Sequence, residues 1–141
     1  MTAKIKVDSG QKIITRAVSG VFHKDRAILL VRELAAAAVL QKDYNILIDL
    51  REAVTAPEMT DLMAIMSAWS RLAKVFDNKI AVVIPKDEEH TRFAQLFKAC
   101  MEVQGFQFRQ LFDYDTAIEW LTVSVSSPKP PPVKRRPASS T

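Results

Sequence analysis

Along this chain, short apolar runs of strand length alternate with longer stretches whose apolar residues recur every three or four positions. That alternation restricts the fold more than any single residue does. The run YNILIDL at 44–50 holds Ile46, Leu47 and Ile48 in succession, the composition of a strand covered on both faces at the centre of a sheet. The run at 79–84 has the same character and stops at Pro85. Repeated strand-helix-strand units with right-handed crossovers give a largely parallel sheet with helices on its faces.

Spacing supplies the other elements. Residues 12–22 are rich in β-branched and apolar types, and 5–8 offers a short partner strand joined through Ser9-Gly10. From 24 to 41, Leu30, Leu34 and Ala38 recur at i, i+4, and the alanines at 35–38 allow close packing on a sheet. A second helix is expected from Pro57 to about Phe76, turning Leu62, Met66, Trp69, Ala73 and Phe76 inward, with Met59 and Met63 widening that face. A third is expected to carry Asp87, Glu88 and Glu89 on its first turn, where the helix dipole favours negative charge. It turns Phe93, Leu96, Phe97 and Cys100 inward and ends at Gly105. Phe106, Phe108 and Leu111 give a last strand, and 116–125 a last helix bearing Trp120 and Leu121. The fold class is therefore α/β: one domain over 1–125, a largely parallel sheet of about five strands, and four helices in the order ββαβαβαβα.

Charge has to be located before it is interpreted. Of 20 Lys and Arg, four (Lys129, Lys134, Arg135 and Arg136) lie after Ser127, where there is no acidic residue. The rest balance the 16 Asp and Glu, so the +4 total belongs to the tail and indicates no basic groove for nucleic acid. Residues 126–141 hold five of the seven prolines and no aromatic residue, and are expected to form a disordered tail. The longest apolar run, 27–40, is interrupted by Arg32 and Glu33 and is too short to span a bilayer. Cys100 is the only cysteine, which excludes an internal disulfide and a cysteine-based zinc cluster. With no apolar leader pattern at the first residues, a cytoplasmic protein without an integral membrane segment is expected.

The ILIDL strand, short loop and apolar helix, followed by the ending Phe112-Asp113-Tyr114-Asp115-Thr116-Ala117-Ile118-Glu119-Trp120-Leu121, resemble the SpoIIAA-like STAS families over roughly 5–125. The resemblance implies a small α/β domain that acts by binding, as an anti-sigma-factor antagonist switched by phosphorylation or as a regulatory module. A related branch, similar to CRAL-TRIO lipid carriers, implies a hold on small apolar molecules. The antagonists carry an Asp-Ser-Ser-Gly-like switch at the start of the second helix. Here those places fall at Pro57, Glu58, Met59 and Thr60, and the motif is absent. Glu58 would then supply a standing charge, or Thr55 or Thr60 would be modified instead.

Two regions carry candidate sites. Thr55-Ala56-Pro57-Glu58 fits a capping box that starts the second helix, and the corner formed by Thr55, Glu58, Met59 and Thr60 is the expected partner-binding or switch surface. The second helix also has an outer apolar ridge, Ile65, Ala68, Leu72 and Val75. Cover by the chain itself accounts for such a ridge, as does a homodimer seam or the wall of an apolar pocket, with Met63, Ile65, Ala68 and Leu72 as the residues concerned. Asp49, Glu52 and Glu58 have no histidine near them in sequence, and Cys100 sits on an apolar helix face. No catalytic residue, metal site or cofactor is expected. The expected partners are a protein, a second copy of the chain, or a small apolar ligand.

Overall fold

The computed structural model describes residues 5–55, 59–85 and 91–123. Five strands, β1 (Ile5–Asp8), β2 (Ile13–Phe22), β3 (Asn45–Thr55), β4 (Lys79–Val83) and β5 (Gln107–Leu111), form one sheet in the order of the chain. β1 runs antiparallel to β2, and every other pairing is parallel. The helices are α1 (Lys24–Leu40), α2 (Leu62–Ala73), α3 (Arg92–Val103) and α4 (Tyr114–Val123). This is the expected ββαβαβαβα domain.

Strand order explains how the helices are shared between the faces. When right-handed crossovers all step the same way across a sheet, their helices fall on one side. Accordingly α1, α2 and α3 pack with Ile14, Val18, Ile46, Ile48, Ile80, Val82 and Phe108 in the larger core. Among the described residues only α4, which follows the last strand, covers the opposite face, where Ala117 and Leu121 meet Ile13, Leu47, Ala81 and Val83. The period-two alternation within β3 and β4 thus feeds two cores at once.

Several boundaries differ from the sequence expectation, each for a local reason. β3 continues past Leu50 to Thr55 because its ladder with β2 persists through Ser19↔Glu52 and Phe22↔Thr55. The register shifts between Ala17↔Asp49 and Ser19↔Glu52, so β3 carries one residue more than β2 across that step. This bulge moves the inward positions from Ile46, Ile48 and Leu50 to Ala53. α2 starts at Leu62, after a 3-10 turn at Met59–Asp61, instead of near Pro57; the expected capping box falls largely on 56–58, outside the described residues. α3 starts at Arg92, capped by the Thr91 hydroxyl accepting from the Ala94 N–H at 3.1 Å. Asp87, Glu88 and Glu89 therefore precede it, also outside the described residues. Leu96, expected inward, is 39% exposed, and Met101 fills the core position instead.

Gly105 does end α3 as expected. Its φ of +93° is a left-handed conformation that an L side chain resists, and it lets Gly105 N–H reach the Glu102 carbonyl and Phe106 N–H the Met101 carbonyl. α4 begins two residues earlier than expected, with the Asp113 carboxylate accepting from Thr116 N–H at 2.8 Å. One buried charge was not anticipated: Arg16, on the inner face of β2, is 5% exposed. Its guanidinium donates to the Glu33 carboxylate of α1 at 3.0 Å, which supplies the counter-charge that burial demands. The expected tail, 126–141, lies outside the described residues.

Candidate functional site

At the carboxyl ends of the parallel strands the large core does not close. A half-open cavity of about 310 Å³ lies between the sheet and the helices. Its floor is Ile48 and Leu50 of β3 with Val82 of β4 and the following Ile84, and α2 roofs it with Ile65 and Trp69. Ala27 and Leu30 of α1 form one side, and Phe93, Ala94 and Phe97 of α3 the other. Phe22, at the end of β2, stands at the rim; Arg26 donates to the carbonyls of Ser19 (3.0 Å) and Val21 beside it, and its guanidinium lies 5.9 Å from the Phe22 ring.

The wall is rigid where it is aromatic. Trp69 meets Phe97 and Phe106 edge-on at 6.2 and 5.7 Å, Phe97 meets Phe108 at 5.6 Å, and Phe93 stacks on Phe97 at 6.3 Å. Such edge-to-face pairs fix ring planes as well as burying area. Among the described residues the polar side chains of the wall are those of His23, Thr91 and Gln110. Thr91 accepts from Ala94 N–H, and Gln110 Nε2 donates to the Ala94 carbonyl at 3.1 Å. Thr91 thus caps the first turn of α3, and Gln110 ties that turn to β5.

The expected switch corner lies beside this hollow. Thr55 ends β3, paired with Phe22, and Met59 and exposed Thr60 lie in the 3-10 turn; Glu58 is outside the described residues. The ladder between β3 and β4 stops at Asp49↔Val83. Beyond it, 19–22 and 51–55 project as a two-stranded ribbon, with Val21 and Val54 paired side by side at 57% and 60% exposed.

Of the four residues expected at a pocket or seam, Ile65 lines the cavity. Leu72 is buried, and with half-buried Ala68 it lines a shallow groove toward α1, while Met63 is 76% exposed on the outer side of α2. Of the acids Asp49, Glu52 and Glu58, the last lies outside the described residues, and neither of the others lines the hollow. Asp49 accepts from Arg51 Nε at 2.9 Å, Nη2 at 2.8 Å and the backbone N–H at 3.1 Å. Arg51 in turn sits 5.1 Å from the Tyr114 ring of α4, on the other face of the sheet. Burial pushes the Asp49 carboxyl up, but the bonds from Arg51 outweigh it and hold it below the usual carboxylate range. Among the described residues, no three His, Cys, Asp or Glu gather as metal ligands, and no helix is long and apolar enough to cross a membrane.

Sequence reasoning identified Trp69, Phe93 and Phe97 as inward-facing and Leu30 as part of the packing face of α1, and offered an apolar pocket walled by Ile65 only as one of three accounts of the second helix. It assigned no pocket role to Phe22, Ala27, Ala94 or Gln110. A signal was present: Phe93 and Phe97, one helical turn apart on one helix, face a tryptophan on another, more ring edge than a tight αβ layer accommodates.

No protein-family model matches the chain, and no curated protein does. Among solved structures, it is similar to an uncharacterised DUF3478-family protein with a SpoIIAA-like fold from Shewanella loihica PV-4, at 14% identity and a TM-score of 0.59, covering 85% of this chain and 92% of that one. It is also similar to the anti-sigma factor antagonist SpoIIAA in its unphosphorylated form, at 8% identity and a TM-score of 0.53, covering 84% of this chain and 96% of that one. The chain thus has a SpoIIAA-like fold.

Proposed function

We propose that the chain is a non-enzymatic, cytoplasmic STAS-like regulatory module that docks a protein partner on the corner between β3 and α2, through Thr55, Glu58, Met59 and Thr60. The observation that carries this reading is the ribbon of β2 and β3 projecting beyond β4, whose paired valines Val21 and Val54 offer an apolar platform next to that corner. The fold shared with an anti-sigma factor antagonist supports it. No serine occupies the switch positions in the sequence, so in this reading Glu58 supplies a standing charge, or Thr55 or Thr60 takes the modification.

Native mass spectrometry of the protein purified from its own cells tests this. A hetero-complex that Val54→Asp abolishes, with unchanged circular dichroism, is the expected result; a lone chain would sink the reading. A doubled mass that Met63→Lys dissociates would make the partner a second copy. The cavity favours a second reading, a carrier for a small apolar ligand, because apolar hollows of this size take up apolar molecules more readily than water. A co-purifying small mass is its signature in the same spectrum.

A further inference from the structure

We infer that the cavity at the carboxyl ends of the strands selects an uncharged molecule with a flat or ring-containing body, and excludes ionised amphiphiles such as fatty-acid carboxylates. This rests on the carrier reading and specifies the chemistry of its ligand. A space of about 310 Å³ equals roughly ten water volumes. A body of about ten to fifteen non-hydrogen atoms fills it, on the same scale.

The wall decides the charge. None of its described residues is Asp, Glu, Lys or Arg. The nearest described charges are engaged elsewhere: Arg26 with the carbonyls of Ser19 and Val21, and Asp49 with Arg51 on the far side of the sheet. An ion entering between Ile48, Val82, Ile65 and Trp69 would give up its hydration and meet no counter-ion among the described wall residues. Thr91 and Gln110 already bond to Ala94. A single hydroxyl or carbonyl on the ligand is therefore best placed at the rim, where His23 is exposed. The rings of Trp69, Phe93 and Phe97 present faces and edges on which a planar ring system packs in offset or edge-on geometry.

Three probes with one ring system isolate the charge: 1-naphthol, 1-naphthoate and 1-naphthylmethylammonium, titrated by calorimetry into the full chain and into Ala27→Leu, Ala94→Leu and Trp120→Phe. Ala27 and Ala94 line the cavity, whereas Trp120 lies on the α4 face. Saturable 1-naphthol binding is expected, with both ions at least about tenfold weaker. Each alanine variant that keeps its cooperative melt should weaken 1-naphthol binding by about tenfold or more, because a leucine occupies ligand space, and Trp120→Phe should not. If 1-naphthoate or the ammonium probe binds as tightly as 1-naphthol, selection for neutrality is overturned while the carrier reading stands. Binding of 1-naphthol unaffected by either alanine variant would place it elsewhere and overturn the inference. Failure of all three probes removes both the inference and the carrier reading.

Discussion

The two ends of the sheet are built differently. At the amino ends side chains stitch the elements together: Asn45 Nδ2 donates to the Leu121 carbonyl at 2.8 Å while its Oδ1 accepts from Lys79 N–H at 2.9 Å. Asn78 donates to the carbonyls of Lys42 and Tyr44, and Lys79 Nζ to that of Trp120. Lys79 and Arg109 both lie over the Trp120 ring, at 4.9 and 5.1 Å. At the carboxyl ends, backbone ladders stop at unequal lengths and apolar side chains surround a hollow. Among the described residues, long-range side-chain ties gather at the amino ends, and the loosely filled space lies beside the corner proposed to act.

Equal truncations at the two ends should therefore have unequal costs. Leu121→Ala removes a fully buried side chain from the tight α4 layer and should cost about 3–4 kcal/mol, whereas Ile65→Ala, bordering existing empty space, should cost about 2 kcal/mol. Urea midpoints of the two variants check the contrast, and equal losses would break it. A smaller effect is expected for Asn45→Ala, which removes the Asn45 bonds to Lys79 N–H and the Leu121 carbonyl; a loss of about 1–2 kcal/mol should appear in the same titration.

The smallest effect concerns pH and belongs to the open end. The Asp49 carboxyl is held below its ordinary value in the folded chain, so its contribution is fully present above the unfolded carboxylate range. It is lost as pH falls through the lower, folded value. Thermal midpoints should decline from about pH 5 downward, and Asp49→Asn should flatten part of that decline. An identical slope in the variant would show that Arg51 does not hold this carboxylate when it matters.

Most of the architecture was legible because strand and helix periodicity survive in NILIDL, in 79–84 and in the two long amphipathic helices. Less legible were features set by partners distant in sequence. The charged residues Asp49, Arg51 and Glu52 looked like the end of a strand, yet pairing with 19–22 carries β3 on to Thr55. Ile65 and Leu72 looked like a spare ridge until α1 covered Leu72 and the hollow took Ile65. The burial of Arg16 drew no expectation from the sequence, though its place between Ile14 and Val18 in the inward period calls for an acid, and Glu33 provides it. The cavity was legible only as an alternative, because an empty volume depends on how three helices settle over a sheet.

That α4 alone among the described elements covers its face of the sheet bears on synthesis at the ribosome. Until residue 121 has been translated and has emerged, Ile13, Leu47, Ala81 and Val83 lack the described helix that packs against them. The nascent domain would thus pass through a stage with one sticky side. Its final helix works as a closing latch, and chains cut short before it are the ones quality control should meet most often.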